Sequence, residues 1–410
     1  AYTGQCWRRD MLFDVLKTWC TLSDNVFIYD YEPGFINLSD STPMPAVARF
    51  RTEMPLMAQW GVRGILQQSI LSIMNQGPNL YVRARQMWDA GVDVDELLDE
   101  YYTHLFGPAA AVVRQYWDAF ERMMHHGPGH HRNVMKAMYP LDRVRKLERF
   151  VREAEAKAQT DMQRRRVQII RYCQNNLMLY LRMRLAEDEG RFADAVALGE
   201  QILILHEQIE AFDTVLFKIG DMDRHDENHP HHAGGWVRQN KTRLAMTDGT
   251  KGDLVAMLDD KWRFRIDRHN EGITWRWFET DHDTSRWGRL RTTRTWDVQG
   301  YEDQLDRYET VGWMRTRVKV PKRFAGRTIR MSFFHPQGAW GSMQVWVNGR
   351  FAGDRRLDFF RWEEERRHGN VDVTDLIRLG ESNQITMRIV KGTRWGGFDR
   401  RILLWSPAGQ

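Results

Sequence analysis

The stretch Asn25 to Phe35, NVFIYDYEPGF, constrains this chain more than any other. Val26, Phe27, Ile28 and Tyr29 form a β-branched and aromatic run, too short for a helix and apolar at successive positions, as in a parallel strand covered on both faces. Asp30, Tyr31 and Glu32 then place two carboxylates and a phenol at the strand's C-terminal end, and Pro33-Gly34 breaks the chain into a loop. In a β/α barrel that end of a strand carries the active site. Glu32 and Asp30 are therefore the candidate catalytic acids, and Tyr29 and Tyr31 candidate substrate contacts. The competing reading of the same residues is a turn capped by Asp30, with Glu32 as solvated surface.

A second short strand is expected in GVRGILQQS, where Val62, Ile65 and Leu66 precede Gln67 and Gln68 at the C-terminal end, two further candidate substrate contacts. Leu12, Val15, Leu16 and Trp19 have helical spacing, as does the stretch 80–88, while Pro43, Pro45 and Pro55 punctuate the segment between the strands. Residues 1–92 thus form two β/α units of a TIM-like barrel. A whole barrel takes about 250 residues, so either the chain begins in the middle of a barrel or the two strands belong to a smaller sheet.

From Asp93 the apolar residues step by three and four, and residues 93–222 are expected to be a helical domain. Asp93 or Asp95 can cap its first helix, and Gly107-Pro108 stops it. The run Arg164-Arg165-Arg166 sits among acids and reads as a solvated helix face. Residues 223–245, rich in His and Gly, read as a linker. Beyond them the helical period gives way to alternation at Ile329, Met331, Phe333 and at Ile385, Met387, Ile389, and Asn348-Gly349 signals a type I′ hairpin. Residues 246–410 are therefore expected to be a β-sandwich. The fold class is multi-domain α and β: a partial (β/α) barrel segment, a helical bundle and a C-terminal β-sandwich.

Composition narrows the function classes. Lys+Arg number 60 against 55 Asp+Glu, and the basic residues are scattered between acids, so no nucleic-acid partner is indicated. Apolar runs fall far short of the ~18 residues a membrane span needs, and no signal-peptide-like stretch opens the chain. Cys6, Cys20 and Cys173 have no metal-type spacing, and the His-rich segments 125–131 and 225–232 lack fixed ligand spacing. Neither a metal nor another cofactor is expected. The chain holds 17 Trp, which suit either packing or the apolar faces of sugars.

The final 165 or so residues resemble the sugar-binding module of family-2 glycoside hydrolases, which implies a galactose-binding-like jelly-roll β-sandwich. The resemblance rests on KWRFRIDRHNEG, WGRLRTTRTWDVQGYE, GWMRTRVKVP, MQVWVNGRFAG, VDVTDLIRLGESNQITMRI and RWGGFDRRILLW, with Met314 where that family usually has Tyr. Residues 1–220 or so are similar to an uncharacterised bacterial family whose barrel is followed by helices. Its members of known activity are endo-acting β-N-acetylglucosaminidases. The similarity is carried by VFIYDYEPGF, GVRGILQQ and ARQMWDAGVDVDELLDEYYTHLFGPAAAVVRQYWDAFE. Relatives usually carry an acid after the Gly-Val-x-Gly strand, where this chain has Gln67-Gln68.

The resemblances imply the C-terminal portion of a glycoside hydrolase acting on a glycan, in a secreted or periplasmic setting by analogy, with a sandwich of the sugar-binding type. Glycosidases pair a proton-donating carboxylic acid with a second carboxylate, or with a substrate acetamide. The alternative is a non-catalytic carbohydrate-binding protein in which the barrel segment and bundle are scaffold. The oligomeric state is left open.

Overall fold

The computed structural model describes residues 7–31, 43–68, 74–126, 135–215, 217–219, 225–227, 232–301, 310–334, 341–357, 368–391 and 396–409. The chain divides into two compact units, Ala1–Arg182 with Glu200–His225 and His231–Ala233, and Met183–Gly199 with Asp226–Pro230 and Gly234–Gln410.

The first unit opens with helix α1 (Trp7–Leu22), strand β1 (Val26–Tyr31), helix α2 (Val47–Trp60), strand β2 (Val62–Gln68) and helix α3 (Asn79–Trp88). The two strands are parallel neighbours, with Asp30 opposite Gln67 and Tyr31 opposite Gln68. Both were expected, but their environment differs from the expectation of cover on both faces. Ile65 packs against Ala46, Phe50 and Met54, whereas Phe27, Tyr29 and Leu66, on the alternate positions, are exposed. Pro55, expected as a break, lies inside α2. The helix ends instead at Gly61, whose φ of 95° is the left-handed cap that glycine adopts without strain.

Helices α4 (Val94–Phe106), α5 (Ala110–His126), α6 (Met135–Met138), α7 (Leu141–Lys157), α8 (Asp161–Asp188) and α9 (Phe192–Phe212) follow. Asp93 caps α4 by accepting from the amides of Asp95 and Glu96. The arginine run on α8 is not a merely solvated face. Arg166 donates to the carbonyls of His104 and Leu105 at the end of α4, and Arg165 to Phe212 O and Asp213 at the end of α9. Arg164 donates to Gln159 O, before its own helix. Carbonyls left open at helix ends attract such cations.

The second unit takes in the tip of the α8–α9 hairpin, helix α10 (Ala233–Ala245) and, among the described residues, ten strands. Helix α10 lies within the stretch read as a linker. Ala233, Trp236, Val237, Gln239 and Asn240 are all buried there, so this half of the stretch is packed structure. The strands are β3 (Gly252–Met257), β4 (Lys261–Asp267), β5 (Gly288–Arg291), β6 (Thr310–Lys319), β7 (Arg330–Phe334), β8 (Gly341–Val347), β9 (Arg350–Leu357), β10 (His368–Asp372), β11 (Ser382–Lys391) and β12 (Leu403–Pro407). They form a four-stranded sheet ordered β10-β7-β12-β3 and a six-stranded sheet ordered β5-β4-β6-β11-β8-β9, with antiparallel pairings throughout.

One core joins the sheets: Met331, Phe333 and Leu404 from the first meet Phe264, Met314, Val345, Ile385 and Met387 from the second. Trp296 fills the middle of it, fully buried. A Cβ on Gly312, Gly396 or Gly397 would run into its indole, so three glycines shape the slot that holds this ring. The β8–β9 turn has φ of 51° at Asn348 and 79° at Gly349, as a type I′ turn requires.

Candidate functional site

The sequence points first to the C-terminal ends of β1 and β2. Asp30 is on the face of β1 that meets the helices. Its Oδ2 accepts from Arg83 Nη2 at 2.5 Å and lies 3.5 Å from Arg49 Nη2. Arg49 donates in turn to Glu53 Oε2 at 2.6 Å, one helical turn further along α2. Arg83, only 2% exposed, stacks over the Phe50 ring at 4.9 Å. Two guanidiniums thus face two carboxylates in a cluster that ties β1 to α2 and α3. In this position the Asp30 carboxylate, 22% exposed, joins β1 to α2 and α3.

The other candidates divide by position. Gln67 shares the helix-facing side with Asp30 and is half-buried, while Tyr29 is 57% exposed on the opposite face. Tyr31 and Gln68 close the strand pair as backbone neighbours. Glu32 lies outside the described residues, as do Trp340, Trp362 and Trp395. Arg49 and Arg83, which decide the environment of Asp30, were not singled out in the sequence. An Arg–Glu pair at i and i+4 in RFRTE was the available signal for Arg49.

On the sandwich, the question is which tryptophans could meet a ligand. The outer face of the six-stranded sheet carries a second apolar cluster of Trp277, Trp287, Val311, Trp313 and Trp346, with Phe278 and Val390 against it. The long β4–β5 connection supplies Trp277, Phe278 and Trp287. Phe278 stacks on Trp346 and Trp313 on Trp346, each at 5.3 Å between centroids. Arg315 reaches under this roof to donate to the carbonyls of His282 and Trp277. Burial, with Arg317 nearby, pulls its guanidinium down to about 10. These rings are spent on packing. Trp275, on the same connection, is 65% exposed.

Among the described residues no group of three or more His, Cys, Asp or Glu is placed to hold a metal, and no helix is long and apolar enough to cross a membrane.

Residues 7–118 match the family model described as a domain of unknown function, DUF4838. Over 204 residues the chain is 18% identical to a β-galactosidase of Psychromonas ingrahamii, a match covering 46% of this chain and 19% of that protein. Among solved structures it is similar to a β-glucuronidase of Ruminococcus gnavus in complex with a C6-substituted uronic isofagomine. That match has 14% identity, a TM-score of 0.31, and covers 37% of this chain and 29% of the other. The same enzyme with uronic isofagomine gives a TM-score of 0.32 at 38% and 29% coverage. The chain thus spans about a fifth of the β-galactosidase's length, and it is similar in sequence to glycoside hydrolases.

Proposed function

We propose that this chain is part of a glycan-directed protein of the glycoside hydrolase type, in which the two-sheet sandwich is a galactose-binding-like accessory module. The observation that carries the reading is the β-galactosidase likeness over 204 residues. The two-sheet antiparallel sandwich supports it. Residues 1–92 are read as β/α units of a TIM-like barrel, with Glu32 and Asp30 as the candidate acids, Glu32 to be tested first, and Tyr29, Tyr31, Gln67 and Gln68 as substrate contacts. Asp30 also fixes β1 through its contacts with Arg83 and Arg49.

The test is hydrolysis of aryl β-galactoside, β-glucuronide and β-N-acetylglucosaminide by the full chain and by any longer polypeptide that contains it. Turnover of at least one, reduced about a thousandfold or more by Glu32→Gln, is the expected result, since a proton-transferring side chain contributes up to ~10⁴-fold. Full activity of Glu32→Gln removes Glu32 from the site.

A second reading is favoured by the ion pairs of Asp30: a carbohydrate-binding protein without turnover. Glycan binding with no hydrolysis of any of the three substrates would select it.

A further inference from the structure

The β4–β5 connection holds a site that neither strand pattern nor motif marks. Strand β5 pairs with β4 only from Lys261 to Phe264. Beside the edge of β4 that runs on past it is a cleft of about 400 Å³, within the range of small-ligand sites, walled by Trp277 and Tyr301. Arg265, Arg268, His269 and Glu271 line it.

The backbone here is held firmly. Asp267 Oδ1 accepts from the Glu271 amide at 2.8 Å, and its Oδ2 from the Gly272 amide at 2.8 Å and from Trp313 Nε1 at 2.9 Å. Asn270, in the left-handed region at φ 56°, accepts from Arg388 at 2.6 Å. Asp267 is consumed by these bonds.

The side chains that this frame presents are unspent. Among the described residues Arg268, His269 and Glu271 make no side-chain hydrogen bond or ion pair, and Arg265 does no more than lie over Trp277 at 4.4 Å. Some other arginines of this unit are matched by acids: Arg276 with Glu279, Arg291 with Asp260 and Arg327 with Asp253. Two guanidiniums and an imidazole thus stand against one free carboxylate, beside aromatic walls, on a rigid turn. Guanidiniums suit planar or tetrahedral oxyanions, and Glu271 suits hydroxyls.

We propose that this cleft binds an acidic sugar unit, with the anionic group held by Arg265 and Arg268 and ring hydroxyls by Glu271. The assignment deepens the glycan-directed reading and rests on it. The anionic group is a carboxylate or a sulfate ester, and the experiment separates the two.

Calorimetric titration of the full chain with a trigalacturonate, a sulfated disaccharide and a neutral trisaccharide tests it. One or both acidic probes should bind at least about tenfold more tightly than the neutral one. Arg268→Ala and Glu271→Gln should each weaken that binding about tenfold or more. Both residues are exposed and unpaired, so these changes leave folding intact. Arg276→Ala, on the same connection but paired outside the cleft, should leave binding unchanged. Equal affinity for neutral and acidic probes, no binding of any probe, or binding indifferent to Arg268→Ala would each overturn the proposal. Aryl-glycoside hydrolysis measured on the same samples separates the failures. Turnover without probe binding removes the cleft alone, whereas neither binding nor turnover of any glycan removes the glycan-directed reading as well.

Discussion

Arg83 Nη2 donates to Asp30 Oδ2 at 2.5 Å, joining α3 to the helix-facing side of β1. Arg83 is almost wholly buried, and its Nε and Nη1 have no acceptor, so Asp30 is its single charged partner at hydrogen-bond distance among the described residues. Removing one member of such a pair leaves a buried charge uncompensated, whereas replacing both with apolar groups can be nearly neutral. Asp30→Asn is expected to destabilise the first unit by about 3 kcal/mol. Adding Arg83→Met should recover most of that loss. Denaturant melts of the single and double variants check it, and additive losses would mean that the pair does not act together.

Glu187, completely buried, accepts from Asn240 Nδ2 at 2.8 Å and from Arg184. Burial alone would push its carboxyl up, but Arg184, Arg400, Asn240 and Arg243 together hold it below its ordinary value of 4.5. A depressed carboxyl contributes stability that is fully present above the unfolded value and is lost as pH falls through the lower folded one. Glu187→Gln should therefore destabilise the second unit by about 3 kcal/mol at pH 7, and the difference from wild type should shrink as pH is lowered below 4.5. A difference that stays constant from pH 7 to pH 3 would contradict the assignment.

Gly312 lies against both the Trp296 indole and the Phe264 ring, which leave no room for a Cβ. Gly312→Ala is expected to cost about 1 to 3 kcal/mol through overpacking. Trp296→Phe in the same background should return part of it. Thermal melts of the two variants read the effect, and a neutral Gly312→Ala would show that the slot can widen.

At Gly349 the cause is different, because nothing lies closer than 3.8 Å to the position of a Cβ and the strain comes from φ of 79° alone. Gly349→Val should lower stability by about 1 to 3 kcal/mol. Gly349→Asn should be tolerated much better, since Asn accepts the left-handed region. Equal melting temperatures for the Val and Asn variants would rule out backbone strain as the cause.

What could be read from the sequence followed from local signals. The strand at Val26–Tyr31, its partner at Val62–Gln68, the Asp93 cap and the Asn348-Gly349 turn are each set by residues within a few positions of one another. Which face of β1 is covered is a long-range fact. Alternation puts Asp30 and Tyr29 on opposite sides, and only α2 and α3 decide which side is buried. Helix α10 was obscured by Gly234 and Gly235 in its first turn, although Trp236, Val237 and Asn240 keep helical spacing. Pro55 misled for the opposite reason: burial of Phe50, Met54 and Met57 on one face of α2 outweighs the backbone bond that proline forgoes. The cleft at Arg268 and Glu271 has no pattern in sequence, because an unpaired arginine differs from a paired one only in what surrounds it.

The tip of the α8–α9 hairpin also bears on how the chain assembles. Arg184 finds Asp399 215 positions further along, and Arg401 returns to Asp188 across a similar span. At a synthesis rate of 5–20 residues per second, those partners leave the ribosome roughly 10 to 40 s after Arg184 does. Through that interval Arg184 and Glu187 lack the guanidinium and carboxylate contacts that Asp399 and Arg400 later provide. The second unit is therefore a late-closing one, completed by a contact of very high sequence separation, and its final folding step is expected to be slower than that of the locally connected helices of the first.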